Sequence, residues 1–208
     1  MRIILDFDYT IFDTDKFRGA VQAMFAKHGV GAELFKRSIE ESRGEAGEWH
    51  PVKQFEILRK ERIDKINSIR EMLNRLTDDS QQYLYEDTMP YLEKASKNHE
   101  FSIVSYGEDK FQGAKIRGCR GACKYFNKIL VTQNLNKDKE AGEIARGERA
   151  IFIEDNPIAL VAVKKFSPNI ITLRMNRGEG RHASVPSGEG VDYEAKNLEE
   201  AEKIVSKL

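Results

Sequence analysis

Apolar residues along this chain follow two rhythms. Five short runs are too brief for helices: Ile3 to Leu5, Phe101 to Ser105 (FSIVS), Lys128 to Thr132 (KILVT), Ala150 to Glu154 (AIFIE) and Asn169 to Leu173 (NIITL). The later four are rich in Ile, Val and Phe and bounded by Gly, Asn, Asp or Pro, which marks them as strands. Around them lie stretches of helical periodicity at Pro90 to Lys97, Lys110 to Arg117, Lys137 to Arg146 and Pro157 to Phe166; the first and last open on a proline, which suits a first helical turn. The closing NLEEAEKIVSKL reads as an amphipathic helix. Strands alternating with helices predict an α/β fold, a doubly wound Rossmann-like parallel sheet covered on both faces.

One interval breaks the alternation. From about Asp15 to Asp87 no strand-like run occurs, while apolar residues recur at helical spacing in DKFRGAVQAMFAKHG, AELFKRSIEES and VKQFEILRKERIDKINSIREMLNRL. Ile66, Ile69, Leu73 and Leu76 form the cleanest stripe, and Gly29 is placed to end the first helix. The expectation is an all-helical insert over 15–87, after the first strand, leaving a core of 1–14 and 88–208. Ser42 to Pro51 and Arg177 to Gly190 read as loops.

Composition narrows the classes. A chain of 208 residues allows one sizeable domain with an elaboration. Its 34 basic and 34 acidic side chains cancel, so no bulk field draws it to nucleic acid or an anionic membrane. Cys119 and Cys123 lie in GCRGAC without a second cysteine pair or a nearby histidine, which fits a reduced structural pair better than a zinc site. Met1 and Arg2 lead directly into the first strand, with no long apolar segment and no cleavage site, so a soluble cytoplasmic protein is expected.

Candidate chemistry follows from where the strands end, since open parallel sheets bind ligands beyond the carboxyl ends of their strands. The first strand ends in Asp6 and Asp8, the second in Ser105 followed by YGED, and AIFIED in Glu154 and Asp155; NKDKE supplies Lys137 and Lys139. Several carboxylates sharing a small volume at neutral pH need a cation, and hard oxygen ligands select magnesium. A phosphoryl group would complete the charge balance, held by lysine and the Ser105 hydroxyl.

These residues carry a resemblance to a known family. DFDYT resembles the first motif, DxDxT, of the haloacid dehalogenase superfamily of phosphatases and phosphotransferases, and FSIVSYG its second. The lysine region is similar to the third motif and IFIEDNP to the fourth, whose Glu-Asp pair resembles the beta-phosphoglucomutase-like branch. The helical insert occupies the position of that superfamily's C1 cap.

The resemblance implies a magnesium-dependent phosphomonoester hydrolase with Asp6 as nucleophile, forming an aspartyl-phosphate, and Asp8 as the acid that protonates the leaving oxygen and later activates water. It implies magnesium on the Asp6 side chain, the Asp8 backbone carbonyl, Asp155 and Glu154. Phosphate would meet Ser105, Lys137 (with Lys139 in reserve), Tyr9, Thr10 and Tyr106, and the backbone N–H groups around Phe7 and Tyr9. Partners are expected to be a small phosphorylated metabolite, neither nucleic acid nor membrane, with the chain a monomer or weak homodimer. The alternatives are a phosphomutase and a non-catalytic phosphate-binding protein of the same fold. Thr14 and Asp15 are placed to cap the following helix. Trp49 and His50 are candidates for substrate contact, while Arg174, Arg177, Arg181 and His182 read as a basic cluster in a solvated loop.

Overall fold

The computed structural model describes residues 1–45 and 47–208. In chain order its strands are β1 (Arg2–Leu5), β2 (Glu100–Tyr106), β3 (Phe126–Thr132), β4 (Ala150–Glu154), β5 (Ile170–Met175) and β6 (Tyr193–Ala195). Among the described residues they form one sheet in the order β3-β2-β1-β4-β5-β6, every neighbouring pair parallel. The first strand shows why such short apolar runs suffice. Side chains alternate across a strand, and here both faces are covered. Ile3 and Leu5 join Phe101, Ile103, Ile151 and Ile153 on one side; Ile4 joins Val104, Phe152 and Ile170 on the other. All three β1 residues are fully buried, each contributing about 1.5–3 kcal/mol relative to exposure.

The sixth strand has no counterpart in the apolar pattern. Tyr193 and Glu194 are exposed and only Ala195 is buried, so β6 is held by pairing with β5 along the sheet edge and shows no alternation.

The interval after β1 is helical, as its spacing implies: α1 (Thr14–Lys27), α2 (Ala32–Glu41), α3 (Pro51–Lys60) and α4 (Ile66–Asp78), then a 3₁₀ turn at Ser80–Tyr83. Ile66, Ile69 and Leu73 of α4 are buried, and Gly29 takes a left-handed φ of 86° just beyond α1. The cap of α1 is Asp13, whose carboxylate accepts the Lys16 N–H at 2.8 Å; Thr14 and Asp15, expected there, already lie inside the helix. That one-residue shift leaves the Thr14 hydroxyl available for another acceptor.

The remaining helices are α5 (Thr88–Ala95), α6 (Asp109–Gly118), α7 (Arg120–Cys123), α8 (Asp138–Ala145), α9 (Pro157–Phe166) and α10 (Leu198–Val205). Cys119 and Cys123 are free thiols, the first buried. No helix among the described residues is long and apolar enough to cross a membrane.

The basic cluster is not uniformly solvated, contrary to expectation, and its first member lies in β5 and not in the loop that follows. Arg174 is 2% exposed and donates to the His182 carbonyl and the Ser187 hydroxyl. Arg177 donates to the Thr10 carbonyl at 3.0 and 2.8 Å and to both Asp87 oxygens at 3.1 and 3.0 Å. Its guanidinium lies 3.8 Å from the Tyr85 ring centroid. One planar fork therefore ties the turn after β1 to the entrance of α5, a job that suits arginine and not lysine. Removing it leaves the Thr10 carbonyl without these donors and a half-buried Asp87 with the Leu198 N–H at 2.8 Å as its remaining donor, so Arg177→Ala should cost about 3 kcal/mol. That corresponds to a fall in Tm of roughly 10 °C by calorimetry, with Arg177→Lys recovering less than half.

Candidate active site

β1 is the strand where the winding of the sheet reverses, because the chain leaves it for β2 on one side and later returns to β4 on the other. Side chains following these two strands meet in the crevice that opens at such a point. Asp6 follows β1 directly; Glu154 ends β4 and Asp155 follows it. One carboxylate oxygen from each of the three lies within 4.8 Å of the others. Asn156 and Pro157 are why β4 stops there: the Asn156 side chain accepts the Ile158 N–H at 3.0 Å as the cap of α9, and Pro157 opens the helix. With the strand ended, adjacent Glu154 and Asp155 reach the same site.

Lys137 stands between two of these acids. Its Nζ donates to Asp6 Oδ1 at 2.5 Å and to Glu154 Oε2 at 2.6 Å, and the residue is 4% exposed. It does so from the residue before α8, in a left-handed conformation with φ 56°; the sequence places it inside the helix. A non-glycine residue there costs about 1 kcal/mol, strain that the paired ammonium offsets. Lys139 is exposed.

The charges do not balance. Burial and the neighbouring Glu154 charge raise the Asp6 pKa to about 7 despite Lys137, and burial with the charges of Glu154 and Asp6 lifts Asp155 well above the carboxylate range. Three oxygen-bearing acids with one lysine are thus short of positive charge. Their hard donors fit magnesium, which prefers carboxylate oxygen.

Asp8 sits in a different environment. Lys115 Nζ donates to its two oxygens at 2.7 and 3.0 Å, Gln112 Nε2 at 2.6 Å and Thr14 Oγ1 at 2.6 Å. Burial works against its ionisation, but the Lys115 charge and these hydrogen bonds together hold its pKa below the usual value. Two neighbouring carboxyls are therefore pushed apart, Asp6 upward and Asp8 downward.

The other expected phosphate contacts are placed unevenly. Ser105 is fully buried, its Oγ accepting Gln112 Nε2 at 2.7 Å. Thr10 Oγ1 lies 3.5 Å from Asp6 Oδ2 while its carbonyl faces Arg177. The Tyr9 N–H, expected at the phosphate, donates instead to the Phe12 carbonyl at 2.9 Å, because a left-handed Tyr9 folds the turn back on itself. The Phe7 and Asp8 N–H groups have no acceptor among the described residues. The Tyr9 hydroxyl donates to Asp15 at 2.7 Å and the Tyr106 hydroxyl to Glu48 at 2.9 Å, so both side chains bind the helical insert.

A cavity of about 950 Å³ covers this crevice, lined by Asp6, Asp8, Lys137 and Asp155 on the core side. Trp49 lines it from the insert, edge-on to Phe111 with centroids 4.8 Å apart. His50 turns to Glu48 at 2.9 Å. Arg181 and His182 of the basic loop also line the cavity.

Gln112 and Lys115 lie outside the four motifs. Their signal was there: Gln112, Lys115, Ile116 and Cys119 follow the spacing of a buried helix face, and two of the four are polar.

Comparisons with known proteins bear on the fold and the family. No curated protein matches the sequence. Among solved structures, a haloacid dehalogenase-like hydrolase from Burkholderia xenovorans superposes with a TM-score of 0.79 at 18% identity, over 99% of this chain and 96% of that one. A HAD phosphatase from Thermococcus onnurineus gives 0.64 at 20%, over 98% and 97%. The L-2-haloacid dehalogenase of Xanthobacter autotrophicus, with chloropropionic acid covalently bound, gives 0.65 at 15%, over the whole of both chains. Likenesses at such identities establish the fold. The family profile of haloacid dehalogenase-like hydrolases matches residues 3–167, and the chain belongs to that family.

Proposed function

We propose that the protein is a magnesium-dependent phosphomonoester hydrolase that acts on a small phosphorylated metabolite through an aspartyl-phosphate. The observation that supports this most is Asp8, a carboxyl two residues beyond the nucleophile position, in the same cavity and fixed by three donors. An alkoxide leaving group needs a proton, whereas a halide departs as a stable anion and has no use for an acid at that position.

In this reading the Asp8 carboxylate, ionised in the free protein, takes up a proton when the phosphoryl dianion binds beside it; an Asp6 oxygen then attacks phosphorus as Asp8 gives that proton to the departing oxygen, breaking the ester P–O bond. Asp8, now a carboxylate, takes a proton from the water that attacks the aspartyl-phosphate. The bond to Asp6 breaks, and inorganic phosphate and the free carboxylate are restored. Lys137 keeps Asp6 oriented and offsets part of the accumulating charge. The Phe7 and Asp8 N–H groups are free to donate to phosphoryl oxygens. The Asp6, Glu154 and Asp155 side chains with the Asp8 carbonyl would hold magnesium, whose charge neutralises the phosphoryl oxygens. The Glu48–Tyr106 and Trp49–Phe111 contacts keep the insert over the site, which limits access of water.

The test is a phosphate-release screen across phosphorylated metabolites, alongside halide release from 2-haloacids. Phosphate release with magnesium, abolished by chelation, is expected, with no halide release. Isomerisation of a sugar phosphate without phosphate release would make it a phosphomutase. Halide release alone, or binding of phosphate esters without turnover, would overturn the reading.

A further inference from the structure

Asp8 is secured by groups that the four sequence motifs do not include. Lys115 and Gln112 sit three residues apart on α6 and so share a face. Lys115 is 4% exposed, and its Nζ lies 5.0 to 5.9 Å from the ring centroids of Phe7, Phe12, Phe17 and Phe111. Among the described residues Asp8 is the one acid paired with it. A cation surrounded by aromatic faces, with a single anion in reach, has one favourable place to be. The Gln112 amide nitrogen that donates to Asp8 donates also to Ser105 Oγ at 2.7 Å, tying the ends of β1 and β2 together.

We propose that Lys115, with Gln112, is the positioning residue of the general acid and base, anchoring Asp8 from the phenylalanine-lined side so that its carboxyl faces the cavity. The Asp8 side chain keeps 26% exposure there, while that of Lys115 keeps 5%. The inference rests on the hydrolase reading above, in which Asp8 serves the leaving oxygen. Lys115 acts only through Asp8. Proton transfer requires a donor within about 2.6–3.2 Å of its acceptor, and a misplacement of about 1 Å can cost a hundredfold in rate.

The test uses kcat/KM, which reports events up to departure of the leaving group. Lys115→Met preserves chain length and contact with the four rings but removes the ammonium; Lys115→Arg keeps the charge. For an alkyl phosphate, whose alkoxide must be protonated, Lys115→Met should lower kcat/KM roughly 100-fold. For p-nitrophenyl phosphate, whose phenolate leaves unprotonated, the loss should stay under about fivefold. Lys115→Arg should recover roughly tenfold or more of the alkyl loss, and Gln112→Leu should show the same substrate bias at smaller size. A crystal structure of Lys115→Met should find the Asp8 side chain displaced. Equal losses on both esters, no loss, or an unmoved Asp8 would overturn the positioning role alone. A wild-type protein inactive on both esters would overturn the hydrolase reading and this inference with it.

Discussion

Asp6→Asn should abolish phosphate release, by roughly 10⁴-fold or more, without unfolding the protein. The amide is nearly the same size as the carboxylate, still accepts from Lys137, and cannot form the acyl phosphate. Stability should respond in the direction set by the Asp6 pKa. The carboxyl titrates at about 7 in the folded chain against 3.8 for an unperturbed group, so between those values the native state binds more protons than the unfolded one. Stability of the metal-free protein therefore falls as pH rises from about 4 to 7, by an amount on the order of a few kcal/mol. Asparagine carries no charge at any pH and escapes this loss. Metal-free Asp6→Asn should match wild type in Tm near pH 4 and exceed it near pH 8; magnesium should raise the Tm of wild type more than that of the variant. A variant markedly less stable than wild type at pH 8 would recast Asp6 as a structural anchor.

What the sequence exposes and what it hides divide along physical lines. Apolar runs such as Ile3 to Leu5 announce the buried sheet because both faces need apolar cover, and the helical spacing of Ile66, Ile69 and Leu73 announces the insert for the same reason. The acids are legible because charge directly behind a buried strand is costly without a partner. The partners are less legible. Helical spacing with Ile116 and Cys119 marks Gln112 and Lys115 as facing inward but not what they meet; only tertiary contacts bring the Phe7, Phe12, Phe17 and Phe111 rings around the lysine. Arg174 ends up buried within β5, and Arg177 sits in the following loop, rich in glycine and charge, where solvation is the ordinary outcome; only the folded path of the turn after β1 and of α5 gives Arg177 its acceptors. Helical periodicity places Lys137 on the packed face of a helix. It reaches Asp6 from a left-handed residue ahead of α8, a conformation that helical periodicity cannot show.

Lys137→Met should lower stability more than any other single change at the site. The ammonium separates Asp6 from Glu154, which are 3% and 1% exposed, and it is held charged because those two acids outweigh the burial that disfavours its ionisation. Its own charge is therefore constant across neutral pH and is lost only in strong alkali, so any pH dependence of its contribution comes from the acids it faces. Without it three clustered carboxyls have no cation, and breaking a buried pair from one side costs about 3–5 kcal/mol, or roughly 10 °C in Tm for a chain of this size. The loss should be largest near pH 8, where the acids carry most charge, and smaller near pH 5, where protonation relieves their repulsion. Magnesium should then raise the Tm of the variant more than that of wild type, since it supplies the charge that lysine no longer does. Lys139→Met, at an exposed position, should change stability by less than about 0.5 kcal/mol. Thermal unfolding of the two variants at pH 5 and pH 8, with magnesium and with chelator, measures every part of this. Equal effects of Lys137→Met and Lys139→Met would mean that the acidic cluster is solvated, and the case for a bound cation would lose its electrostatic basis.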